Sequence, residues 1–218
     1  MSDFAAQRLN MVESQLRTNK VTDARLLKAM FEIPRERFLP ERLRGIAYVD
    51  EDIALGNGRY VIEPMVAARL IQAAQIAPDD VTLEIGTGTG YVTAVLSRLA
   101  TTVLSVECDA ALARGATDAL GGLGFDNAVV VAGALRDGHP KQAPYDVIVI
   151  AGAVDEIPEA VLGQLAEGGR LVAVVVGDDG VGRATLVQRR SGATYARPLF
   201  DANTPRLPGF ERAAQFAF

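Results

Sequence analysis

At 218 residues, with 49% hydrophobic and 22% charged side chains, the chain suits one α/β domain with an extension around a sizeable core. A net charge of −5 gives no basic excess for a nucleic-acid backbone, and no apolar run is long enough to span a bilayer. One cysteine (Cys108) excludes an internal disulfide, one histidine (His139) leaves too few soft ligands for zinc, and Met1-Ser2-Asp3-Phe4 does not read as a secretory leader. The expectation is a metal-free cytoplasmic protein without nucleic-acid or membrane partners, monomeric by default.

Along the first third, Leu9, Val12 and Leu16 recur at helical spacing, and Thr22 or Asp23 can cap a second helix through Met30 that Pro34 ends. The proline-bounded connector that follows alternates in charge from Arg35 to Arg44, which predicts a solvated surface. Leu55-Gly56-Asn57-Gly58-Arg59-Tyr60 reads as a glycine-bearing loop, and Glu63-Pro64 opens a helix to about Gln75. From Val81 the pattern changes. Apolar, β-branched runs at 81–85, 103–106, 128–131, 147–150 and 171–176 are separated for the most part by helical segments at 91–99, 110–120 and 158–165. Strands apolar on both faces and spaced by helices predict a parallel sheet covered on both sides. Segments 184–188 and 194–199 lack an intervening helix and are expected to pair antiparallel at one edge, where Pro198 is tolerated. The fold class is α/β, a doubly wound and mostly parallel sheet with an N-terminal helical cap. Pro205 to Phe210 is expected to wrap the surface as a non-regular tail.

The most informative stretch is Leu83-Glu84-Ile85-Gly86-Thr87-Gly88-Thr89-Gly90-Tyr91, an apolar strand running through three alternating glycines into a helix. Glycine lets the backbone turn sharply and approach a ligand closely, and such a turn at the carboxyl end of a strand is where open α/β sheets bind nucleotide-like ligands. The spacing G-x-G-x-G departs from the G-x-G-x-x-G of dinucleotide binders. That shifts the reading from a dehydrogenase towards S-adenosylmethionine, within the class I S-adenosylmethionine methyltransferase version of the fold. Glu107 closes the next strand about twenty residues after Gly86, where an open α/β site places a carboxylate for ribose hydroxyls. Glu84 can face the cofactor's ammonium group or orient the turn. The candidate cofactor set read from this stretch and the next strand is Glu84, Gly86, Thr87, Gly88, Thr89, Gly90 and Glu107. Residues 1–76 form the expected cap and substrate loop, and 77–218 the cofactor-binding fold with its tail, as one compact unit. His139 reads as a solvated loop histidine and Cys108 as a small buried residue.

The chain also resembles the protein-L-isoaspartate O-methyltransferases. Met11-Val12-Glu13-Ser14-Gln15-Leu16, the run from Ala29 to Pro40, and Ala47-Tyr48-Val49-Asp50 are similar to that family's amino-terminal signature. Leu83 to Tyr91, Ala143-Pro144-Tyr145-Asp146, Ile157-Pro158 and Gln164-Leu165 follow in the family's order. The resemblance implies S-adenosylmethionine as cofactor and methylation of the free carboxylate of isoaspartyl residues in damaged proteins, which starts their repair. Two departures stand out. Tyr60-Val61-Ile62-Glu63-Pro64 has Ile62 where the family's substrate loop carries a serine, with Tyr60 able to supply a hydroxyl from two residues away. Gly133-Ala134-Leu135 has Ala134 where the family's aspartate meets adenine. Tyr60 and Ile62 are therefore the candidate acceptor positions, and the resemblance adds Gly133 and Ala134 to the cofactor-binding set. A same-fold methyltransferase with a different acceptor, and a non-catalytic S-adenosylmethionine-binding relative, stand as alternatives.

Overall fold

The computed structural model describes residues 3–211. Helix α1 (Phe4–Asn10) starts at Asp3, whose carboxylate accepts from the Ala6 N–H at 3.0 Å. It continues into a π-helical turn, Met11–Leu16, that buries Met11, Val12 and Leu16. Leu9 is 46% exposed instead of sharing that face, because the wider turn shifts the helical phase. Asp23 caps α2 (Ala24–Glu32), accepting from Arg25 and Leu26 N–H. Thr22 instead donates its N–H to the Gln72 side chain. Ile33 is extended, as the residue before a proline should be, and the helix ends there.

Two elements differ from the sequence reading here. Arg35 is fully buried and Glu36 nearly so, although charge alternation placed them on a solvated surface. Arg35 Nε and Nη2 donate to the Ala47 and Ile62 carbonyls at 2.8 and 2.9 Å, and the guanidinium lies 4.7 Å over the Tyr91 ring. The stretch read as a loop is a β-hairpin, β1 (Ile53–Gly56) and β2 (Arg59–Val61), separate from the main sheet. Its turn residues Asn57 and Gly58 both have positive φ, 51° and 69°, the geometry an Asn-Gly pair favours in two-residue hairpins.

Helix α3 (Pro64–Ala74) has proline in its first turn and stops at Gln75 in the left-handed region. It leads to β3 (Val81–Ile85), α4 (Tyr91–Ser97), β4 (Thr102–Glu107), α5 (Ala110–Gly122), β5 (Ala128–Ala132), β6 (Tyr145–Val154), α6 (Glu159–Leu162), β7 (Leu165–Val176), β8 (Gly182–Arg190) and β9 (Ala193–Asp201). The segment expected to be helical over 158–165 yields only α6, because β7 already begins at Leu165. The seven-stranded sheet runs β5-β4-β3-β6-β7-β8-β9, parallel through β7 and antiparallel in the last two pairings, with Pro198 on edge strand β9.

Strand order reverses between β3 and β6, so the carboxyl ends of these two strands frame a crevice of the kind in which open α/β sheets bind ligands. On one face of the sheet, apolar residues of the cap, α3 and α4 form a continuous core with Val147, Val149 and Val172. The opposite face packs Leu83, Ile85, Ile148 and Leu171 with Leu207 and Phe210 from the end of the described chain. That end does not wrap the surface as expected. Leu207 is 2% and Phe210 0% exposed, and Leu207 N–H and Pro205 carbonyl bond the main chain of Ala153 at 2.8 and 2.9 Å. Its apolar residues are drawn into the crevice because the free main chain of β6 offers hydrogen bonds there.

Candidate active site

The turn after β3 is built by its glycines. Gly86, Gly88 and Gly90 have φ of 96°, 56° and 91°, values that L side chains rarely adopt. The N–H groups of Gly86 and Thr87 donate to the Val106 carbonyl at 2.9 and 3.2 Å, so the turn is pinned across the end of β4. At Gly90 a Cβ would stand 3.2 Å from that of Ala116, which lets α5 pack closely against the start of α4.

Glu107 ends β4 fully buried, beside the turn. Its Oε2 accepts from Gly88 N–H at 2.7 Å and its Oε1 from Asp109 N–H at 3.0 Å. A charged partner comes from the hairpin. Arg59 grips the carboxylate with both arms of its guanidinium, Nε at 3.0 Å and Nη2 at 2.7 Å, and is itself only 2% exposed. Burial works against ionisation of Glu107, but the Arg59 pair and the two N–H donors outweigh it and hold the carboxyl below its ordinary range. The hairpin is tied at its tip by Asn57, whose amide donates to Asp109 Oδ2 at 3.3 Å.

Glu84 is equally buried but has no cation against it. Its Oε2 accepts from the Thr93 and Ser105 hydroxyls, and burial pushes its pKa up to about 7 against the pull of those two bonds. Glu84 Oε1, Thr87 Oγ1, Thr89 Oγ1 and the Tyr91 hydroxyl are buried with no hydrogen-bond partner among the described residues. These residues line one small cavity with Tyr60, Ile62 and Ala151. Buried polar atoms are nearly always paired, so four orphans around one cavity mark a place shaped for a polar ligand. The amino-acid end of S-adenosylmethionine, with an ammonium and a carboxylate, matches this donor and acceptor set. As it stands the cavity holds about 10 Å³, where drug-sized ligand pockets run to about 300 Å³ or more. Leu207 fills the space before the turn, 3.0 Å from where a Gly86 Cβ would lie.

The sequence-derived positions therefore fall into two groups. Glu84, Gly86, Thr87, Gly88, Thr89, Gly90 and Glu107 meet at the turn. Gly133 joins them through its N–H, which donates to the Glu107 carbonyl at 2.9 Å. Ala134 follows it, exposed, at the end of β5. Tyr60 and Ile62 lie on the cavity's hairpin wall, Ile62 4% exposed and Tyr60 half-buried. Glu63 does not cap α3 with its side chain. Its carboxyl is pushed up to about 7 by burial and by Asp52, Asp50 and Glu51. Cys108 is exposed, contrary to the buried role expected for it. His139 is half-buried, its N–H donating to Gln164 Oε1 at 2.8 Å. Arg59 is the residue that sequence reasoning passed over. Its signal was an arginine in a short strand directly after an Asn-Gly turn, a residue type that is rarely buried unless paired.

Residues 7–200 match the family described as Protein-L-isoaspartate(D-aspartate) O-methyltransferase (PCMT). The chain is 40% identical over 209 residues to the protein-L-isoaspartate O-methyltransferase of Koribacter versatilis, covering 96% of this chain and 94% of that one. It is 42% identical over 190 residues to protein-L-isoaspartate O-methyltransferase 1 of Rhodopseudomonas palustris, covering 87% and 78%. Among solved structures, a protein-L-isoaspartate O-methyltransferase superposes with a TM-score of 0.82 at 28% identity, over 93% of this chain and 66% of that one. A Plasmodium falciparum beta-aspartate methyltransferase in complex with S-adenosyl-L-homocysteine, 18% identical, shares the fold at a TM-score of 0.76, covering 94% and 98%.

Proposed function

Because the chain belongs to the protein-L-isoaspartate(D-aspartate) O-methyltransferase family, we propose that it methylates the free carboxylate of isoaspartyl residues in damaged proteins. The methyl donor is S-adenosylmethionine. The observation that carries this reading is the turn at the sheet's switch point, Gly86 to Gly90, with Glu107 beside it and four residues with orphaned polar atoms lining one cavity.

When bound, the cofactor supplies an electrophilic methyl on a sulfonium. The glycines let main-chain atoms approach it where a Cβ would collide. Glu107 would accept from its ribose hydroxyls, and Glu84, Thr87 and Thr89 would hold its amino-acid end. The acceptor carboxylate is already ionised near neutral pH and needs no general base. The protein's contribution is therefore placement and the exclusion of water. Tyr91, Val61 and Ile62, all nearly inaccessible, provide the dry wall. Ile62 gives the acceptor no hydroxyl. Its carbonyl is held by Arg35 Nη2, which fixes the loop instead. As part of the same proposal the protein works in the cytoplasm, where a chain with one free cysteine needs no oxidising compartment.

The test is transfer of radiolabelled methyl from S-adenosylmethionine to an isoaspartyl peptide, with the matching aspartyl peptide as control. The native protein is expected to label the isoaspartyl peptide. Ile62→Ser is expected to raise kcat by about tenfold or more, within the range of one oriented hydrogen-bond donor. Labelling by Ile62→Ser alone would show that the natural protein acts on another acceptor, and labelling by neither would reject the reading.

A further inference from the structure

We propose that Arg59 is an internal competitor for the cofactor, occupying on Glu107 the place of the ribose hydroxyls and thereby setting cofactor affinity. This rests on the reading above, in which Glu107 receives the ribose. A carboxylate offers about four lone-pair sites. On Glu107 the two N–H donors of Gly88 and Asp109 take one oxygen each, and both arms of Arg59 take the rest, at 3.0 and 2.7 Å. The Cys108 thiol leans on the same Oε1 at 3.4 Å. With Arg59 in place the carboxylate has no acceptor site left for a diol. The Gly88 and Asp109 donors belong to the turn and to the start of α5, so they stay whatever binds. Arg59 arrives from outside that frame.

Four further observations agree. The guanidinium Nη2 lies 3.4 Å from where a Gly86 Cβ would stand, so it crosses the front of the turn itself. The element carrying it is a two-stranded hairpin hydrogen-bonded to no strand of the main sheet. Its tip is anchored by one exposed side-chain bond, Asn57 to Asp109. The cavity that shares Gly86 with this turn holds about 10 Å³, and Glu84, Thr87 and Thr89, which carry orphaned oxygens, line it. A site with ligand-binding chemistry and no ligand-sized space is a closed site, and Arg59 is the charged group that stands with Leu207 against its Gly86 wall. Ligand and guanidinium claim the same two oxygens, so their binding is mutually exclusive and the linkage is negative.

The experiment is calorimetric titration of S-adenosylhomocysteine into the native protein, Arg59→Gln and Arg59→Lys, each checked for cooperative thermal unfolding. Arg59→Gln is expected to bind about tenfold or more tightly than native, within the 5–150-fold span of typical site couplings. Arg59→Lys, with a single point charge in place of the fork, should fall between them. Equal or weaker binding by a folded Arg59→Gln would overturn the competition while leaving the cofactor assignment intact. Binding by none of the three would overturn both. Should the variants not fold, the native protein decides alone through NMR of the Arg59 Nε–H. Its solvent exchange should be slow in the free protein and accelerate when S-adenosylhomocysteine saturates, and an unchanged signal would refute the proposal.

Discussion

Replacing Glu84 by glutamine should change how the protein's stability depends on pH. Glu84 is 0% exposed, and its Oε2 accepts from Thr93 and Ser105 hydroxyls with no cation in contact. Burial lifts its pKa from 4.5 to about 7 in the folded protein. A carboxyl with a raised folded value binds more protons folded than unfolded, so its contribution favours folding in acid. That contribution is complete below the unfolded value near 4.5 and is lost as the pH rises through about 7. Each unit of displacement corresponds to about 1.4 kcal/mol, which gives roughly 2 to 3 kcal/mol between pH 5 and pH 8. A glutamine oxygen can accept the same two hydroxyls and does not titrate. Urea denaturation of native and Glu84→Gln proteins at both pH values reads the difference. Glu63, pushed up to about 7 by burial and its acidic neighbours, is present in both proteins and cancels. Glu84→Gln should gain on the native protein by roughly 2 to 3 kcal/mol on going from pH 5 to pH 8. A difference constant to within about 0.5 kcal/mol would refute an uncompensated carboxyl in that environment.

Gly90→Ala should cost about 2 to 4 kcal/mol in urea denaturation. A side chain at φ 91° is strained by about 1–2 kcal/mol, and its Cβ would press on Ala116 at 3.2 Å, adding an overpacking penalty. Leu207→Ala should destabilise by about 2 to 5 kcal/mol, the range for a buried leucine, because this side chain is 2% exposed against Gly86 and Gly152. A loss below about 1 kcal/mol would mean that the segment is not docked in the crevice.

What could be read in sequence was what is local. The alternation of strands and helices after Val81 follows from short-range patterning, and the sheet confirms it strand by strand. The glycine turn was legible because positive φ restricts the residue type at Gly86, Gly88 and Gly90 wherever the rest of the chain goes. Asn57-Gly58 carried an equally local hairpin signal, and reading it as a loop overlooked the turn chemistry. The charge alternation from Arg35 to Arg44 holds at Arg37, Glu41 and Arg42, which are exposed, and misled at Arg35 and Glu36, because sign says nothing about burial. Arg35 is internal because two distant carbonyls and an aromatic ring receive it.

By itself, then, the sequence determined the sheet, the turn and the carboxylate at the end of β4, each set by residue type and short spacing. Only the tertiary structure decided what meets that carboxylate. Arg59 and Glu107 are 48 positions apart. Leu207 reaches Gly86 from still further along the chain. Contacts of that kind depend on where a hairpin and a chain end come to rest on the folded sheet, and no local periodicity encodes the meeting. The physical reason is that burial and charge pairing are properties of the assembled interior, while turn geometry and strand pattern are properties of the chain.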